Sequence, residues 1–217
     1  MFAKTLPLWT GILPLIAVHV SYGIAAWLGH VPWCNPYWDA CTSISAAGRE
    51  APEYYWFKIT MIPAALLMIV YWQRMSVWLR FLGNRAQTIR WLGFVGAAFL
   101  MLYVIALGVE GDLFRWQRRI GVILYFTLTY LAQLLVVSWL WRHGYRQLSI
   151  RIMFLLCILC LLIGLTSLGT DLLTDWHDDV ADAYEWVLAL LINTFLLVSY
   201  WAWKATHFDG TSIREIS

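Results

Sequence analysis

Two polar side chains lie in one apolar segment near the C-terminal end, and each has a structural or a functional interpretation. Glu185 lies at the start of this segment and Asn193 lies eight residues later. Eight residues are about two turns of an α-helix, so the two side chains share a face. Glu185 has two interpretations: a carboxylate that stabilises the positive end of the helix dipole, or a partly buried functional group. Asn193 is typical of a hydrogen bond between helices.

A second group of polar residues combines both signs of charge. One interpretation is a solvated rim of salt bridges. The other is a clamp for a phosphate group, since the guanidinium fork of arginine matches phosphate oxygens and a lysine adds a point charge. The residues of this group are Glu53, Lys58, Glu110, Asp112, Arg115, Arg118 and Arg119.

Two further polar side chains lie inside apolar segments. His19 and Gln133 are each typical of a hydrogen-bonded residue that packs between helices. Together with Asn193 they would form one polar seam if the fold brought them together. The sequence does not decide this.

The cysteines divide into two pairs. Cys34 and Cys41 flank a short polar stretch and are predicted to form a disulfide, with two free thiols as the alternative. Cys157 and Cys160 lie within an apolar segment and are typical of small hydrophobic residues at a packed interface. The acidic stretch "DWHDDVAD" around His177 has no defined ligand spacing. We therefore expect neither a metal nor another cofactor.

The composition places all of these residues in a membrane protein. The chain has 217 residues, 61% of them apolar and 13% charged, with a mean hydropathy of +0.66. A soluble domain carries about 25% charged residues. Six segments reach the roughly 20 apolar residues that a spanning helix needs. The predicted spans are residues 6–28, 55–75, 91–109, 120–141, 152–173 and 184–204.

These spans predict an all-α, polytopic fold: a single domain, residues 1–217, built as a six-helix transmembrane bundle. One set of loops and ends carries ten Lys and Arg residues against two acidic ones, and the other carries five against eleven. By the positive-inside rule both termini are cytoplasmic. Residues 29–54 then form a loop that caps the outer end. The fifteen tryptophans are predicted to form interfacial belts.

The sequence also argues against several classes of protein. A net charge of +2 is too weak to indicate nucleic-acid binding. The first apolar run exceeds the roughly 7–15 residues of a signal-peptide core, so it is predicted to be a span that is not cleaved. A claudin-like adhesion protein has four spans rather than six. A secondary transporter is expected to show inverted repeats, and none is visible.

Two stretches resemble the Frag/DRAM/Sfk family of six-span membrane proteins. The cap reads "SISAAG" over residues 43–48, then Pro52, then "YYWFK" over residues 54–58. The last span begins "DAYEW", which resembles the glutamate–aromatic start of the family's sixth helix. The pattern is most similar to the branch that remodels the lipids of GPI anchors. A histidine that many members carry between spans three and four is absent here.

The resemblance implies lipid handling, and lipid remodelling as the finer expectation. No serine–histidine or cysteine–histidine arrangement is visible, so the sequence leaves open whether the protein is an enzyme. The first candidates for chemistry are Ser43, Ser45, Glu53 and Glu185. The residues expected to contact lipid are His19, Trp56, Lys58, Arg115, Arg118, Arg119, Trp186 and Asn193.

Two functional hypotheses follow. In the first, a lipid or lipid anchor of the outer leaflet enters sideways between helices and places its head group under the cap. In the second, the protein is a non-catalytic regulator or scaffold that acts through a membrane-protein partner or through lipid distribution. The sequence leaves open the oligomeric state and the compartment, which is a bacterial inner membrane, the Golgi or another endomembrane, or the plasma membrane.

Overall fold

The computed structural model describes residues 2–173 and 177–209, with side chains for residues 3–170 and 180–209. Every regular element in these ranges is a helix, and six of the helices are long and apolar enough to cross a membrane. The prediction of an all-α, multi-pass membrane protein is confirmed. The helices are α1 (Phe2–Leu28), α2 (Ile44–Ala47), α3 (Glu53–Phe81), α4 (Thr88–Ala106), α5 (Asp112–Arg142), α6 (Leu148–Leu173) and α7 (His177–Ala205).

The six long helices form an incomplete ring. Extensive contacts run from α5 to α4, then to α3, α1, α7 and α6. The ring closes weakly, because α5 has few contacts with α6 and fewer still with α7. One end of the bundle, here called the cap end, carries the cap (residues 29–52), the α4–α5 connection, the C-terminal end of α6 and the N-terminal end of α7. The assignment of this end to the outer side stays a prediction from charge.

The C-terminal end of α4 differs from the predicted span, which continued to residue 109. The helix ends at Ala106, Leu107 is extended, and Gly108 has a φ of +74°. Glycine adopts this left-handed conformation without the steric cost of a side chain. A Cβ at Gly108 would lie 2.6 Å from the ring of Tyr54. The chain therefore turns early, where the start of α3 packs closely against it.

Tryptophan has a second role that the belt interpretation missed. Trp72, Trp78, Trp186 and Trp203 are fully buried inside the bundle. The indole of Trp78 donates a hydrogen bond to Thr206 Oγ1 at 2.8 Å. Position near the end of a span cannot distinguish a lipid-facing ring from one that faces a neighbouring helix. The belt prediction is therefore wrong for these four rings.

The cap is fastened to α1 and α7. The predicted disulfide between Cys34 and Cys41 is present. Tyr22 Oη, on α1, donates to the carbonyl oxygen of Cys34 at 2.7 Å and accepts from its N–H at 2.9 Å. On the other side, Trp186 Nε1 donates to the carbonyl oxygen of Thr42 at 2.8 Å. These bonds hold the cap across the ends of two helices at the cap end of the bundle.

The contact of α3 with α4 depends on one glycine. A Cβ at Gly93 would overlap the base of the Trp72 indole, which is fully buried and has no room to move. We expect Gly93→Ala to lower the free energy of unfolding by about 1–3 kcal/mol, the usual cost of overpacking a core. Thermal unfolding in detergent measures the change.

Gly23→Ala is the matched control, because Gly23 is also inside a helix and a Cβ there meets nothing within 4 Å. Equal unfolding temperatures for the two variants would contradict the packing argument.

Candidate functional site

Glu185 lies under the cap, where a very short helix is aimed at its carboxylate. Ser43 precedes α2 as its N-terminal cap, and its Oγ accepts a hydrogen bond from the Ala46 N–H at 3.0 Å. This is the usual role of serine at a helix start. The backbone N–H of Ile44, the first residue of α2, lies close to the carboxylate of Glu185 and stabilises its charge. The "SISAAG" sequence is thus the segment that covers Glu185.

A groove opens where the helix ring is incomplete. It lies between α5 on one side and α6 and α7 on the other, and it has a volume of about 850 Å³. We call it the basic groove. Polar groups line its cap end, and mostly apolar side chains line the rest, with Thr127 and Ser167 among them. The charged and hydroxyl-bearing residues that line it include Ser45, Arg49, Tyr103, Arg115, Arg118, Arg119 and Glu185.

Among the arginines that line the groove, Arg118 is held in place by backbone carbonyls. Its Nη1 donates to the carbonyl oxygens of Ala106 at 3.1 Å and Val109 at 2.7 Å. Carbonyls at the end of a helix lack partners within that helix, and α4 ends at Ala106, so Arg118 satisfies one of them. Arg115 is exposed and lies 3.5 Å from Asp112, also exposed, an ion pair of little energetic weight.

A small cavity continues from the basic groove into the bundle. It has a volume of about 40 Å³, and we call it the inner cavity. Glu185 and Tyr103 line both spaces, and Asn193 lines the inner cavity. The shared helix face predicted for Glu185 and Asn193 therefore corresponds to one shared cavity.

The other predicted carboxylate, Glu53, lies elsewhere. Its side chain is fully buried, and Oε1 is 2.6 Å from Nδ1 of His30. This pair ties the start of α3 to the segment that follows α1. Glu53 does not line the basic groove, and Ser43 is engaged in capping α2.

Lys58 and His19 are also occupied by neighbours. Lys58 Nζ donates to the carbonyl oxygen of Ile105 at 3.1 Å and lies 4.7 Å from the ring centre of Tyr54. Because the carbonyl oxygen of Leu15 can only accept, His19 donates from Nδ1 at 2.7 Å. Its Nε2 then accepts from Tyr37 Oη at 2.8 Å. Burial raises the pKa of Tyr37 above its usual value, which keeps that donor protonated.

The residues predicted to form aromatic contacts with lipid, and those predicted to form one polar seam, lie in separate parts of the bundle. Trp186 is buried beneath the cap, with its ring centre 5.5 Å from that of His19. Trp56 is half-buried on α3 and does not line the groove. Gln133 donates to the carbonyl oxygen of Ile192, one residue before Asn193, at 3.1 Å. Among the described residues, no hydrogen bond joins His19 to Gln133 or Asn193.

Three residues of this region were not expected from the sequence. Arg49 follows "SISAAG" directly, and that position was the available signal. His30 follows the first span and faces Glu53, but the partner of a carboxylate is set by the tertiary fold. Tyr103 gave no signal, because a tyrosine inside a span has the same pattern wherever its hydroxyl points. In the acidic stretch around His177, the side chains of residues 175–179 lie outside the described residues, and Ala181 lines the basic groove.

The His30–Glu53 pair predicts a structural effect. A charged partner makes a hydrogen bond roughly twice as strong as a neutral one, so Glu53→Gln is expected to lower stability by about 1–2 kcal/mol. Thermal unfolding in detergent measures this. Glu50→Gln, at an exposed position of the same cap, is the control. The same loss in both variants would show that the buried pair is not responsible.

Comparison with known proteins gives the family. No curated protein and no solved structure matches the chain. The family model of the Frag1/DRAM/Sfk1/Cwh43P N-terminal domain matches residues 2–206, which include all six long helices and the cap. The resemblance noted in the two sequence motifs is therefore confirmed for the family as a whole. The chain belongs to the Frag1/DRAM/Sfk1/Cwh43 family, as an integral, multi-pass membrane protein.

Proposed function

We propose that this protein binds a membrane lipid with an anionic phosphate head group in the basic groove. The observation that carries the proposal is the composition of the groove along its length. Arginines from α5 and from the cap line the cap end, and mostly apolar side chains of α5, α6 and α7 line the remainder, with the hydroxyls of Thr127 and Ser167 among them. An amphipathic molecule with a phosphate at one end and acyl chains at the other matches both parts.

The arginines suit a phosphate for chemical reasons. Guanidinium groups donate paired hydrogen bonds to phosphate oxygens and keep their charge. Arg118 is held by two backbone carbonyls before any ligand arrives, whereas Arg115 and Arg119 are exposed and adjust to it. One fixed donor and two adaptable ones are sufficient to select a phosphate over a neutral head group.

The gap in the helix ring supports entry from the side. Ile123 of α5 and Leu168 of α6 line the groove and are each 53% exposed. In a bilayer these side chains face acyl chains. A lipid in the same leaflet would reach the groove by lateral diffusion, with its head group staying at the level of the arginines.

Lipid remodelling is the finer proposal. It rests on the resemblance of the cap and of the sixth span to the GPI-anchor branch. Of the four residues considered for chemistry, Ser45 and Glu185 line the groove. Glu185 is the stronger candidate, because its carboxylate lies where the groove meets the inner cavity. No observation favours the scaffold alternative over lipid binding.

The remodelling proposal has its own test. The acyl-chain composition of anionic lipids is compared by mass spectrometry between membranes that contain the wild-type protein and membranes that contain Glu185→Gln. We expect one lipid class to differ in chain composition. If the two membranes have the same composition while the purified wild-type protein still retains lipid, the protein binds without remodelling.

The binding proposal is tested with phosphatidylglycerol and phosphatidylcholine. Each is titrated into detergent-solubilised protein and bound lipid is counted by native mass spectrometry. We expect phosphatidylglycerol to bind more tightly. Loss of one charged hydrogen bond costs about 1.5–3 kcal/mol, so Arg118→Gln should weaken binding by roughly ten- to a hundredfold.

Two further variants separate binding from folding. Arg119→Gln removes an exposed arginine of the groove without touching the α4 carbonyls, and it should weaken binding by a few fold. Arg142→Gln removes an exposed arginine at the opposite end of α5 and should have no effect. Equal affinity for both lipids, or equal losses in Arg119→Gln and Arg142→Gln, would overturn the proposal.

A further inference from the structure

The inner cavity behind Glu185 contains buried polar groups that the binding of phosphate does not use. Its volume of about 40 Å³ is larger than the roughly 10–15 Å³ that one water molecule or one hydroxyl group requires. It joins the basic groove at residues common to both spaces: Tyr103, Val122, Phe126 and Glu185. A group attached to a ligand in the groove therefore has a route into it.

Asn193 presents an unused acceptor. Its Nδ2 donates to the carbonyl oxygen of Ala189 at 2.8 Å. A carbonyl oxygen only accepts, so this bond fixes the orientation of the amide and directs Oδ1 to the other side. Asn193 is 4% exposed, and its Oδ1 has no hydrogen-bond partner among the described residues. A buried acceptor left in this state costs about 1–3 kcal/mol.

Tyr103 presents an unused hydroxyl. The residue is 4% exposed, and its Oη has no partner within the part of the chain that the structure describes. Tyr103 lines the cap end of the groove together with Arg49, Arg118 and Glu185. A phenolic hydroxyl both donates and accepts.

The set of atoms determines the chemistry of a matching ligand. Asn193 Oδ1 and the carboxylate of Glu185 accept, and Tyr103 Oη completes the set as a donor. A phosphate or ester oxygen has no hydrogen to offer Asn193. A neutral hydroxyl donates one hydrogen bond and accepts another. An ammonium group only donates, so it leaves the Tyr103 hydroxyl without an acceptor, whereas a hydroxyl can accept from it.

We propose that the inner cavity is a subsite for a hydroxyl group of the bound lipid's head group, with Tyr103 and Asn193 as the residues that determine this specificity. The inference rests on the proposed lipid site, since the arginines would hold the phosphate while the hydroxyl enters the cavity. Lipids that carry a phosphate and an alcohol in the head group are then preferred over lipids that carry the phosphate alone.

The test uses two lipids of equal charge. Phosphatidylglycerol carries free hydroxyls in its head group, and phosphatidylmethanol carries none. Both are titrated into the full-length protein in detergent and measured by native mass spectrometry. We expect phosphatidylglycerol to bind about tenfold more tightly, which corresponds to one or two buried hydrogen bonds.

The variants locate the preference. Tyr103→Phe removes only a hydroxyl that has no described protein partner, so it should fold normally and reduce the preference to about twofold or less, with little change in phosphatidylmethanol affinity. Asn193→Leu should do the same. Arg119→Gln should weaken both lipids equally and leave their ratio unchanged.

The outcomes separate the two proposals. If the arginine variants weaken both lipids but the wild-type protein binds them equally, the lipid site stands and the hydroxyl subsite is overturned. A preference that persists in both Tyr103→Phe and Asn193→Leu also overturns it, as does phosphatidylethanolamine binding as tightly as phosphatidylglycerol. If no lipid responds to the arginine variants, the proposed function itself fails.

Discussion

The arrangement of the cap depends on the partner of one carboxylate. Glu185 lies within the last span, and an unpartnered carboxylate in apolar surroundings is expensive. The Ile44 N–H lies close to this carboxylate and stabilises its charge. One residue along α7, Trp186 donates to the carbonyl oxygen of Thr42. Two adjacent residues of α7 thus interact with one short backbone segment, which fixes where "SISAAG" lies and brings Arg49 to the groove.

The groove exists because α5 packs closely against α4 and only loosely against α6 and α7. Gly96 and Gly121 allow this, since a Cβ at either position would lie 3.0–3.1 Å from the opposite helix. Small residues at an interface let helix backbones approach closely in a membrane. The facing side of α6 has no such fit, and Gly164, which lines the groove, has open space around it. A tight seam on one side of α5 leaves a gap on the other.

The sequence predicted those features that depend on local pattern. Apolar runs located all six long helices, and helical spacing placed Glu185 and Asn193 on one face, where both line the inner cavity. The clustering of basic residues in "FRWQRR" indicated the arginines that line the groove. These inferences needed only the period of a helix and the length of a span.

The remainder was set by tertiary contacts that no local pattern encodes. Glu53 and Glu185 both lie toward the cap end of the bundle, and the sequence placed both at helix starts, but α7 begins eight residues before Glu185, at His177. The fold gives Glu53 a histidine partner and full burial, and gives Glu185 a backbone N–H and a place at the groove. Tyr103 and the four buried tryptophans were missed for the same reason, because orientation around a helix in an apolar span leaves little trace in composition.

Arg118 shows how the scaffold prepares the site before a ligand binds. Ordering a long side chain opposes binding by about 0.5–1.5 kcal/mol when it happens on association. Here the ordering is part of folding, because the carbonyls of Ala106 and Val109 hold the guanidinium in position. Those carbonyls are available because α4 ends at Ala106, and it ends there because Gly108 turns the chain against Tyr54. The early end of one helix therefore connects the packing of α3 to the position of a positive charge in the groove.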